Sequence, residues 1–134
     1  VGGTQGVVCS TQSGGWGLAT SASGEIYFIV SNGSYVSVYS GVTASEKTHV
    51  IAVYDPSEEV IRIYINGEKK AESAVTGSLI SGTSAAYNTF YIGADIDSAG
   101  TGNDFQMTDF ESSYVRIYTS AINNDQAFSL NAKK

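Results

Sequence analysis

Cationic residues are scarce in this chain. Lys and Arg total 7 against 13 Asp and Glu in 134 residues, a formal net charge of -6. A surface this acidic repels polyanions, which argues against nucleic acid and anionic membrane surfaces as partners and leaves neutral glycans and cations. Cys9 is the one cysteine, so no internal disulfide forms. With no Cys-x-x-Cys and no His/Cys cluster, a structural zinc site has no carrier. No apolar run approaches the roughly 18 residues of a membrane helix, and no secretory leader is read. Proline occurs once and histidine once, at His49. Turns must therefore come from glycine and asparagine, and a Ser-His-Asp triad would have to use His49.

What is present points to strands. Hydrophobic residues make up 42% of the chain, enough for a globular core, and there are 9 Tyr and 15 Gly. Short apolar, β-branched or aromatic blocks occupy residues 7–9, 16–20, 25–30, 35–39, 48–54, 60–65, 89–92 and 112–118, and residues 68–74 read as the return strand of an Asn-Gly hairpin. Asn32-Gly33 and Asn66-Gly67 mark hairpin turns of the type I′ kind, in which both central residues have positive φ. A two-residue loop at Asn32-Gly33 sets Val30 opposite Tyr35 and Ile26 opposite Tyr39. One face then carries Ile26, Phe28, Val30, Tyr35 and Tyr39, and the other carries Tyr27, Ile29, Val36 and Val38. Residues 123–130 are the single helix candidate. Asn123 is its cap, Gln126 completes a capping box, and Ala127 and Leu130 face the sheet. The whole, residues 1–134, reads as one all-β antiparallel sandwich with one short C-terminal helix.

The order of the blocks adds a resemblance. His49, Val50, Ala52, Tyr54 and Asp55 are followed by Tyr64, Asn66 and Gly67, then by Ile92, Gly93 and Asp95. Val115, Arg116, Ile117, Tyr118, Ala121 and Ile122 close the series. This succession resembles the laminin-G-like jelly roll of the concanavalin A-like lectin/glucanase superfamily, of the bacterial secreted-protein type. Lys47 and Thr48 depart from it where a Trp is usual. The resemblance implies a lectin-like module from a secreted or cell-surface protein, with His49 a structural position. It also implies one or two more N-terminal strands than this chain shows, so an open sheet edge or core groove is expected there.

Three functions are weighed. A carbohydrate-binding module would stack sugar rings on aromatics, with Tyr35, Tyr39, Trp16 and Tyr87 as candidates. Trp16 alternates with Leu18, which points it to the core, and Tyr35 with Tyr39 either forms a platform or fills the layer between the sheets. An acidic loop, Asp95, Asp97, Asn103 and Asp104 with Asp109 beyond, supplies the hard oxygens that calcium takes, or is an ordinary solvated loop. Second, the domain packs on a neighbouring enzyme domain or on its own copy. Third, it hydrolyses glycosides, but the alternating Glu-x-Asp-x-x-Glu strand of the superfamily's glucanases is missing. Glu58-Glu59 are adjacent and so point to opposite faces or lie in a turn, and Glu68 and Glu72 with Lys69 and Lys70 read as a solvated hairpin. Arg116 reads as a partnered charge within a strand, Asn32-Gly33-Ser34 as a turn rather than a glycosylation site, and Cys9 as a small buried hydrophobe.

Overall fold

The computed structural model describes residues 4–44, 47–81, 89–95, 99, 101–102, 105–107, 111–112 and 114–132. Among them are eight strands and one helix: β1 Gln5–Ser10, β2 Trp16–Thr20, β3 Glu25–Ser31, β4 Tyr35–Thr43, β5 Val50–Asp55, β6 Val60–Ile65, β7 Glu68–Ala74, β8 Tyr91–Ile92 and α1 Asn124–Asn131. They form two antiparallel sheets, one ordered β4-β3-β2-β1-β8 and the other β5-β6-β7. The all-β sandwich with one short helix is the architecture expected from the sequence.

The core lies between the sheets. Ile26, Phe28, Val30 and Val38 of the first sheet meet Ile61, Ile63 and Ile65 of the second, with Val75 just past β7. Each side chain alternates with an outward-facing neighbour, as a pleated strand dictates. Fully burying such a side chain contributes about 1.5–3 kcal/mol. A smaller cluster joins Val53 and Tyr64 on the outer side of the second sheet to Ala127 of α1. Asn123 caps that helix and Gln126 completes the capping box, as expected. Ala127 is its buried contact, and Leu130 is only partly covered.

Three expectations are corrected. The Asn32-Gly33 loop has three residues, not two, because Ser31 pairs with Tyr35 and Val30 with Val36. Gly33 has positive φ and Asn32 does not, so the turn is not type I′. This one-residue slip moves every β4 side chain to the opposite face. Val36 and Val38 join the core, while Tyr35 and Tyr39 turn outward. Asn66-Gly67, by contrast, has positive φ at both positions and Ile65 opposite Glu68, as a two-residue loop requires. Finally, residues 114–118, expected as the last strand, lie in neither sheet, and Tyr114, Ile117 and Tyr118 are exposed. Arg116 is exposed too, its guanidinium 4.6 Å from the Tyr114 ring centre, so it is not a buried strand charge.

Candidate functional site

The outer face of the five-stranded sheet is built in two layers. Cys9, Ala19 and Tyr27 are buried there, with Ile29 beside them. Cross-strand partners share a face, so Tyr27 opposite Tyr39 and Ser31 opposite Tyr35 put both β4 tyrosines above this layer. Tyr39 stacks on Tyr27 with ring centres 5.0 Å apart and planes 25° apart. The Tyr35 hydroxyl reaches the β1–β2 turn, donating to the Thr11 carbonyl and accepting from Gly14 N–H at 3.1 Å. Each tyrosine nevertheless keeps 50% of its surface in solvent. Tyr35, Ser37 and Tyr39 point the same way, and the two tyrosine positions are about 13 Å apart along the strand.

Two held but half-exposed rings can stack an apolar ligand face, because little rotamer freedom is left to lose. Burial, then the neighbouring Cys9 and Tyr39, push the Tyr27 phenol above its ordinary pKa, so it stays neutral beneath them. Burial and then Asp95 push the Cys9 thiol up to about 12, and its Sγ donates to the Leu18 carbonyl at 3.2 Å. Cys9 is thus an inert part of the lower layer, as the sequence suggested.

The other candidates do not join this surface. Trp16 pairs with Val30 and packs on the inter-sheet core, its ring centre 6.2 Å from that of Phe90. Tyr87 lies outside the described residues, as do Asp97, Asn103, Asp104 and Asp109. Asp95 is 2% exposed, and its carboxylate oxygens accept from the Thr11 N–H at 3.0 Å and the Thr11 hydroxyl. It ties the chain just past β8 to the end of β1. Among the described residues, no three His, Cys, Asp or Glu side chains gather as metal ligands. His49 lies partly covered just before β5, its ring centre 6.3 Å from that of Tyr114.

A cluster that the sequence reading missed sits outside the second sheet. Arg62 is 8% exposed, and its guanidinium binds Asp55 at 3.0 Å, Glu72 at 2.6 Å and Glu58. Glu72 is therefore not simply a solvated hairpin residue. Its bond to Arg62 draws its pKa down, and bonds from Ser57 and then Arg62 do the same for Asp55. These residues and Tyr64 line a cleft of about 640 Å³ beside the start of α1, where Tyr64 Oη donates to Asn124 Oδ1 at 3.1 Å.

A laminin-G family model, described as concanavalin A-like lectin/glucanases superfamily, matches residues 1–127. The chain belongs to this family. No curated protein sequence matches it. Among solved structures it is similar to the IT-sialidase CBM40 of Ruminococcus gnavus, at 11% identity and a TM-score of 0.66, covering 97% of this laminin-G-like chain and 75% of that one. The same module bound to α2,6-sialyllactose gives 12% identity and 0.64, with coverage of 97% and 76%. An S-layer domain-containing protein of Clostridium thermocellum gives 20% identity and 0.52. There the laminin-G-like chain is covered over 98% but spans only 64% of its relative. At these identities the likeness shows the fold.

Proposed function

We propose that this laminin-G-like domain is a non-catalytic carbohydrate-binding module of a secreted or cell-surface multidomain protein, with Tyr35 and Tyr39 as its stacking platform. The observation that carries this reading is the pair of held, half-exposed tyrosines on one sheet face. Pyranose rings present apolar C–H faces, and an aromatic contact is worth about 0.5–1.5 kcal/mol beyond its area. Membership in a lectin-like superfamily and the fold shared with a sialidase's CBM40 agree with it.

The Arg62 cluster brings carboxylates together in a cleft, yet it does not favour hydrolysis. A glycosidase needs one carboxyl with its pKa raised to serve as acid. Asp55 and Glu72 are both shifted downward, and their oxygens are spent on Arg62.

The decisive experiment is calorimetric titration against a broad panel of plant, host and bacterial glycans. The wild type should bind at least one. The double variant Tyr35→Ala, Tyr39→Ala, still folded by circular dichroism, should lose about tenfold to hundredfold in affinity. Failure to bind any glycan overturns the proposal.

A second reading, a module that packs on a neighbouring domain or on its own copy, is favoured by other exposed apolar groups. Phe90, Ile92, Ile117 and Tyr118 are exposed, and among the described strands β5 is an edge. That reading takes over if no glycan binds and light scattering finds association that Ile117→Asp abolishes.

A further inference from the structure

We infer that the tyrosine face takes an uncharged oligosaccharide lying along β4 and rejects sialylated or otherwise anionic glycans. The inference rests on the carbohydrate reading above and adds the ligand's charge and extent.

The five strands that build this face, β1 to β4 and β8, contain no Lys, Arg or His. Lys47 is the first cation along the chain, and residues 71–115 contain none. Recognition of a carboxylate or sulfate ordinarily uses an arginine fork or a lysine ammonium. Here the buried Arg62 belongs to the other sheet, where carboxylates already occupy it, and Lys69 and Lys70 pair with Glu72 and Glu68. The charges close to the tyrosines have the wrong sign for an anion. Glu25 stands two residues before Tyr27 on β3, its Oε1 accepting from Gly41 N–H at 2.8 Å. Asp95 lies buried close enough for its charge to reach both Cys9 and Tyr27. An anionic sugar would meet these with no positive partner on the five strands of the face, inside the field of a chain whose net charge is -6.

Extent follows from the strand. Tyr35 and Tyr39 are separated by about 13 Å on β4, the edge strand of its sheet, with Ser37 between them on the same face. One sugar ring covers one tyrosine. Engaging both requires a chain that runs along the strand over this face, since the Ser37 carbonyl at the strand's flank is met by the Ser73 hydroxyl of β7. The Ser37 hydroxyl lies where it can meet a ligand hydroxyl between the two rings.

The test uses matched pairs on the wild-type domain: lacto-N-tetraose against its α2,6-sialylated form, fully methyl-esterified tetragalacturonate against the free tetragalacturonate, and each neutral tetrasaccharide against its constituent monosaccharides. A neutral tetrasaccharide should bind at least tenfold more tightly than both its anionic counterpart and its monosaccharide, with little change as salt is raised. Ser37→Arg should narrow the neutral-to-anionic ratio severalfold by supplying the missing cation. Equal or tighter binding of the sialylated or free galacturonate probe overturns this inference alone and leaves the carbohydrate reading standing. Equal affinity for monosaccharide and tetrasaccharide overturns the two-ring geometry. Absence of binding by every probe, here and across the broad panel, overturns both readings together.

Discussion

The two sheets of this domain agree on their inner faces and part company on their outer ones. Inward, each presents branched aliphatic side chains, Ile26, Val30 and Val38 against Ile61, Ile63 and Ile65. Outward, the five-stranded sheet offers tyrosines above a small apolar layer and no cationic strand residue. The three-stranded sheet offers Arg62 with three carboxylates and the cap of a helix. Charged hydrogen bonds close upon themselves and leave little free for a ligand. Half-exposed aromatic rings do not. On the proposed reading the sandwich keeps one outer face for stability and the other for binding, a division that fold similarity alone does not reveal.

The largest expected effects lie in the shared inner layer, and they sharpen the comparison by removing any difference between the sheets. Phe28→Ala should cost about 3–5 kcal/mol and Ile63→Ala about 2–5 kcal/mol. Against a total of roughly 5–15 kcal/mol, either variant approaches unfolding. Chemical denaturation should find both far less stable than the wild type. If one sheet's variant costs several times less than the other's, the layer is not the common core described above.

Next in size is Arg62→Ala, which separates the outer faces. Asp55, Glu58 and Glu72 then face one another without the guanidinium that joins them. Hydrogen bonds to charged groups are worth about 1.5–3 kcal/mol each when buried. Glu58 and Glu72 side chains are 62% and 37% exposed, so solvent screening lowers their share and the total should stay near the cost of one such bond. Glycan affinity should not change. A loss of binding in Arg62→Ala with the fold intact would move the site to the other sheet.

Much of the scaffold was legible in the sequence. Strands β2 and β6 and the capping box of α1 fall where their residue patterns put them, and β7 where the Asn66-Gly67 turn puts it, because alternation, caps and tight turns are local signals. What escaped was register. An Asn-Gly pair marks a turn but does not count the loop, and the third loop residue before Tyr35 moved both candidate tyrosines from the face of Ile26, Phe28 and Val30 to that of Tyr27 and Ile29. The Arg62 cluster hid for the same reason. An unbroken hairpin from Asn66-Gly67 would set Arg62 opposite Ala71, but an irregularity between Ile63 and Tyr64 shifts it to Glu72. Residues 114–118 failed differently. Their aromatic and β-branched composition suits a strand, but a strand also needs a partner edge, and a local pattern carries no information about that.

The smallest effect is also the one that most specifically marks the charged face. The carboxyls of Asp55 and Glu72 have folded pKa values below their ordinary ones, Asp55 chiefly through Ser57 and Glu72 chiefly through Arg62. A carboxyl of this kind contributes its stability above the unfolded pKa and loses it as pH falls through the folded one. Melting temperature should therefore hold through neutral pH and decline below about pH 4. In Arg62→Met the decline should be shallower, because Glu72 has lost the first cause of its shift and Asp55 the second. Tyr35→Ala should leave the profile as it is in the wild type, since no ionisable partner of that ring changes. If Arg62→Met and the wild type lose stability in parallel on acidification, the carboxylates around Arg62 are not what makes the two outer faces different.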